Sequence, residues 1–172
     1  MKRLTLLRHA KSSWNDPDMD DFDRPLNERG RNAAPLIGEY LATQNLVPDI
    51  VLCSAAARTQ ETLTLIMQHL APAPTVETMQ ELYLSAPATM LSAVHKINHA
   101  DHVMIIAHNP GLHVLALDLI DADNSSIDLI SLLAQKFPTA ALASFSFAVR
   151  SFADISPGTG RLTHFETPKS LT

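Results

Sequence analysis

The sequence predicts an α/β fold of three layers, α/β/α, in which a mainly parallel sheet carries helices on both faces. Three observations carry that expectation. Short apolar runs at Leu4 to Leu7, Asp49 to Cys53 and His102 to Ala107 alternate with longer stretches that are apolar at helical spacing. Each run stops abruptly at polar, chemically active residues: Arg8 and His9 after the first, Ser54 after the second, His108 after the third. Finally, 172 residues with 46% apolar and 18% charged side chains fit one globular domain, residues 1–172, with no Gly/Ser-rich linker to divide it.

Composition also excludes several classes. No apolar run approaches the length of a membrane span. The basic, apolar start MKRLTLLRHA is broken by Arg8 and His9 too early for a signal peptide, so it reads as a strand. A single cysteine, Cys53, permits no internal disulfide and no zinc cluster, which fits a reducing cytoplasm. The net charge of −5 offers no basic surface to nucleic acid. Asp16, Asp18, Asp20, Asp21 and Asp23 account for that charge, so the acidity is local. A calcium-binding loop would need glycine where Asp21 stands and glutamate where Asn27 stands, so this stretch is expected to be a solvated loop near Arg8 and His9 that steers approaching substrates.

Along the chain, Asn27 reads as a helix N-cap, with Glu28 in the first turn and Ala33, Ile37 and Leu41 on one face; Pro35 predicts a kink or a late start. Pro48 precedes the strand DIVLC. The next helix buries Leu63, Ile66, Met67 and Leu70 and holds Arg58 in its first turn, where the helix dipole disfavours a cation. An anion held by both the dipole and Arg58 would explain it; a loose pair with Glu61 is the alternative. Thr75 to Glu77 reads as a short strand, and Glu77 and Glu81 are equal candidates for a proton donor. His95, His99 and His102 lack an accompanying carboxylate or thiol cluster and are expected at the surface, binding no metal. Pro110 suits the first position of a helix capped by Asn109. Ile127 to Ala134 reads as a helix, Ala143 to Val149 as a half-buried strand, and Arg161 to Phe165 as its hairpin partner across Ser156 to Gly160. The tail from about Glu166 is expected to fray.

In a mainly parallel sheet the strand ends gather on one side, so Arg8, His9, Arg58 and His108 should converge there. Two guanidiniums match phosphate oxygens, and two imidazoles can supply a nucleophile and a further donor. On Arg8-His9 after the first strand, Ser54 with Arg58, and His108, the chain resembles the histidine phosphatase superfamily, also called phosphoglycerate mutase-like. The segments RHAKSSW, DRPLNERG and AHNPG are similar to its short phosphohistidine phosphatases of the SixA type.

That resemblance implies a metal-independent enzyme without a cofactor, phosphorylated on His9. Arg8, Arg58 and His108 would hold the phosphoryl group, with Asn15 and Asn109 as further substrate contacts and Glu81 roughly where relatives keep a proton donor. The short chain implies an open site and a phosphohistidine protein as substrate. A phosphatase or mutase of small phosphate esters, and a phosphate-binding module without turnover, are the alternatives. In catalysis His9 should be neutral and His108 charged, so the two are expected to titrate apart.

Overall fold

Six strands form one sheet in the order β3-β2-β4-β1-β5-β6, in a computed structural model that describes residues 1–172. Strands β1 (Lys2–Arg8), β2 (Ile50–Ser54), β3 (Thr75–Met79) and β4 (His102–Ala107) run parallel; β5 (Leu142–Phe147) and β6 (Arg161–Glu166) are antiparallel additions at one edge. Helices α1 (Glu28–Thr43) and α2 (Ala57–Met67) cover one face through Ile37, Leu41, Leu63 and Ile66, packed on Val51, Cys53, Met104 and Ile106. The other face is covered by α3 (Pro87–His95), α4 (Gly111–Leu119) and α5 (Ile127–Gln135), which contribute Met90, Val94, Leu115 and Leu133 against Leu4, Leu6 and Ile105. Two apolar layers on opposite faces of one sheet are the three-layer arrangement expected from the sequence. No helix is long and apolar enough to cross a membrane.

Helix α1 begins where its cap predicts, since the Asn27 side chain accepts the Gly30 N–H at 2.9 Å. Pro35 lies inside it and neither delays nor interrupts it. The helix start is pressed against the chain leaving β1: Asn27 N–H donates to the Lys11 carbonyl at 2.9 Å, and a Cβ at Gly30 would lie 2.2 Å from that same oxygen. Gly30→Ala should therefore destabilise the fold by about 1–3 kcal/mol, read as a lower denaturation midpoint, because backbone rather than a flexible side chain must yield.

Several local expectations change. His102 is not at the surface; it is buried in β4, with its Nε2 2.8 Å from Thr5 Oγ1, which also meets Ser144 Oγ at 3.0 Å. Strand β5 is almost wholly buried rather than half-buried, because it lies between β1 and β6. Asn109 does not cap α4, where Pro110 takes the cap position; its Nδ2 instead donates to the Phe137 carbonyl at 2.8 Å. The tail does not fray from Glu166. Thr167 and Ser170 form a reciprocal capping box at the turn Pro168–Leu171, and Leu171 packs onto the α1 side of the core.

Candidate active site

The carboxyl ends of β1, β2 and β4, three adjacent strands, bring Arg8, Ser54 and His108 to one edge, and His9 follows Arg8 directly. The rings of His9 and His108 lie 5.3 Å apart, centroid to centroid. His9 Nδ1 is 2.7 Å from the Ala10 carbonyl, which can only accept, so this nitrogen carries the proton. Its Nε2 is left with the lone pair, and the Arg58 Nε–H points at it from 3.4 Å. The local backbone therefore selects the tautomer whose free nitrogen faces a guanidinium.

His108 is fixed through Nε2, 2.8 Å from Ser54 Oγ. The Ala56 N–H approaches the same hydroxyl oxygen at 3.4 Å, so Ser54 Oγ joins the start of α2 to the His108 ring. Nδ1 of His108 is buried without a protein partner, as is Arg8 Nε. Arg8 Nη1 and Asn109 Nδ2 both donate to the Phe137 carbonyl, at 3.1 and 2.8 Å. That shared acceptor ties the ends of β1 and β4 to the segment before β5.

Arg58 is 3% exposed and does not pair with Glu61, which binds Leu26 N–H and Arg31 instead. Its Nη1 donates to the Asp21 carbonyl at 2.7 Å and its Nη2 to Asp21 Oδ2 at 3.0 Å. The other carboxylate oxygen of Asp21 accepts from Arg24 at 2.7 Å, and the Tyr83 hydroxyl donates to Oδ2. Burial opposes ionisation of Asp21, but the Tyr83 and Arg24 hydrogen bonds and the Arg58 charge outweigh it and hold the carboxyl at about 2. The acidic loop is thus pinned at Asp21 rather than wholly solvated. Arg24 in turn stacks on Trp14, its guanidinium carbon 3.3 Å from the ring centroid.

These groups surround a recess of about 210 Å³. Arg8, Lys11, Arg24 and Arg58 line it together with His9, His108 and Asn109, and no carboxylate is among its walls. Four cations around so small a volume attract an anion the size of a phosphoryl group, and Nε2 of His9 offers it a lone pair.

Comparison with known proteins agrees with that chemistry. Residues 4–90 match the model of the histidine phosphatase superfamily (branch 1). Over 164 residues, 95% of this chain, it is 30% identical to the whole of an uncharacterised protein of Mycobacterium tuberculosis strain H37Rv. The chain belongs to the histidine phosphatase superfamily. Its backbone matches a structure assigned to phosphohistidine phosphatase SixA of Agrobacterium tumefaciens with a TM-score of 0.82 and 30% identity, covering 97% of this chain and 98% of that one. A second SixA assignment, from Nakamurella multipartitia, matches at 0.83 and 27%, covering 97% and 96%. Within the superfamily the protein is a histidine phosphatase of the short SixA-type branch.

Not every residue singled out from the sequence reaches the recess of this phosphatase. Glu81 is exposed on the turn Gln80–Leu82 and faces a separate groove with Thr89, Ser92 and Lys96; Glu77 is exposed on the edge strand β3. Neither residue lines the recess that holds His9. Asn15 is exposed and does not line the recess, whereas Asn109 does. His95 bonds the Ile155 carbonyl at 2.8 Å and His99 is exposed. The sequence marks Asp21 only as one of a solvated acidic loop near Arg8 and His9 and does not single out Arg24 or Tyr83, since their meeting depends on the fold of two loops.

The two central histidines do not titrate apart in the resting site. Burial pushes His9 down to about 3, with the Ala10 carbonyl opposing and Arg58, Arg8 and Arg24 adding; burial pushes His108 to about 3 as well, with His9 and Arg58 adding and Asp21 opposing. One desolvated, cation-rich pocket acts on both rings. Burial likewise lowers His102 to about 4. Each pKa lies below the unfolded value of 6.5, so the unfolded chain binds more protons, and stability is full above about pH 6.5 and falls from there toward pH 3. Lowering the pH from 7 to 5 should cost about 2 kcal/mol per histidine, seen as a large drop in the urea midpoint.

Proposed function

We propose that this histidine phosphatase hydrolyses phosphohistidine on protein substrates, through a covalent phosphoryl intermediate on His9. The observation that supports this substrate class is the recess itself: four cations, two imidazoles and no carboxylate among its walls. An alkoxide leaving from an ordinary phosphate ester needs a proton from a neighbouring acid, and no wall of the recess offers a carboxyl group to give one. A phosphoimidazole protonated on its other ring nitrogen leaves as neutral imidazole, with no proton from the enzyme.

In this reading the lone pair on His9 Nε2 forms a bond to phosphorus as the substrate's P–N bond breaks, and the departing imidazole keeps the electron pair. Arg8 and Arg58 neutralise the equatorial oxygens, and His108, once protonated, is a further donor to them. The bound phosphoryl group also reverses the electrostatics at His108, favouring its protonated form only once substrate is present. Water then attacks the phosphohistidine intermediate, and His9 leaves as neutral imidazole while orthophosphate forms. Nucleophile and leaving group are the same chemical species, so the first transfer is close to balanced in energy.

Rates on a phosphohistidine protein, phosphoramidate, an acyl phosphate and simple sugar phosphates test the substrate class directly. Phosphoramidates and the phosphohistidine protein should exceed the esters by about 10²-fold or more, the usual worth of a missing general acid. Ester turnover equal to phosphohistidine turnover would overturn the reading.

A further inference from the structure

We propose that a second, cationic groove beside the recess docks an acidic segment of the phosphoprotein substrate. The inference rests on the phosphohistidine reading and specifies the partner's chemistry. The groove has a volume of about 580 Å³, and Lys11, Arg29, Lys136 and Lys169 line it without a single Asp or Glu side chain. None of these four cations takes part in an ion pair of the structure, in a chain whose net charge is −5. Like charges gathered without an acidic side chain among them repel one another and create a positive potential that selects anionic partners. Elsewhere Lys2, Arg24, Arg31 and Arg58 each have a carboxylate within 3.0 Å.

Its position links the groove to the chemistry. Lys11 and Thr139 line both cavities, so a chain lying in the groove continues into the recess that holds His9. The size of the groove and the origin of its cations favour an extended polypeptide over a second small anion. The four cations come from four separate segments: the chain after β1, helix α1, the segment after α5 and the C-terminal turn. Together with Leu36 and Pro138 they line a volume well over twice that of the recess. A lone phosphate needs donors that converge on one point; spaced carboxylates on an extended strand match cations spread along a trough.

Two synthetic peptides test this, each with one phosphohistidine, flanked in one by glutamates and in the other by glutamines, with phosphoramidate as the small substrate. The wild-type enzyme should favour the Glu-flanked peptide by about tenfold in kcat/KM at low salt, through KM, and lose that preference as salt rises. Arg29→Glu with Lys169→Glu, neither of which lines the recess, should abolish the preference while leaving phosphoramidate hydrolysis and the denaturation midpoint unchanged. Equal kcat/KM for the two peptides in the wild type, or a preference that survives in the double variant, overturns the proposal.

A direct binding measurement separates the groove from the catalytic reading. The Glu-flanked peptide, fluorescein-labelled and with an unphosphorylated histidine, should bind the wild type about tenfold more tightly than the double variant by anisotropy. If neither phosphopeptide is hydrolysed by the wild type, the phosphohistidine reading fails, and the anisotropy alone decides for or against the docking groove.

Discussion

His9→Ala should lower phosphatase turnover by about 10⁴-fold or more, the scale on which loss of a covalent nucleophile is felt, while the protein stays folded. The folded outcome follows from what the ring does in the structure. His9 is 6% exposed, yet its only strong hydrogen bond is to the Ala10 carbonyl, so alanine removes ring packing without stranding a charge. A second readout separates the nucleophile from a merely structural histidine. Acid-quenched wild type given radiolabelled phosphoramidate should carry acid-labile phosphate, and the variant should carry none. The same substitution removes one of the buried neutral imidazoles, so the loss of stability between pH 7 and 5 should shrink by about 2 kcal/mol. Wild-type turnover in His9→Ala would refute the assignment.

Arg58→Ala is expected to cost about 10²–10³-fold in kcat/KM, the usual penalty for removing one preorganised donor to a transition-state oxyanion. Arg58 joins three parts of the site: its Nε faces His9 Nε2, and its two Nη groups hold the main chain and side chain of Asp21. Lysine should not restore the rate, because a single ammonium cannot reach all three at the angles a guanidinium presents. With the guanidinium gone, the His9 pKa should rise, and so should that of Asp21, since Arg58 lowers both. Proton NMR titration of the His9 ring in this variant checks that direction, and an unshifted or lower pKa would contradict the geometry described.

The sequence displays the frame of this site because the chemistry sits at abrupt transitions. Arg8-His9, Ser54 and His108 each follow an apolar run, and in a parallel sheet such transitions share an edge, so their meeting is legible before any coordinate is known. What pattern cannot convey is the direction of a short turn. Glu81 is close along the chain to Leu84, which lines the recess, yet the turn at Gln80–Leu82 sends its carboxylate into another groove. Asp21 shows the converse. Five aspartates within eight positions all read as solvent-facing, and only the tertiary approach of Arg58, Arg24 and Tyr83 distinguishes one of them. Asn109 was legible as a polar group beside His108 but not as a donor to Phe137, since its partner arrives from 28 positions downstream.

The order β3-β2-β4-β1-β5-β6 places the three strands that carry the proposed chemistry inside the sheet, each hydrogen-bonded on both sides. Thermal opening of a fold starts at its margins, and here the margins are β3 and β6. Amide protons of β1 and β4 should therefore exchange only on global unfolding, and a molecule that has loosened at either border keeps its reactive centre assembled.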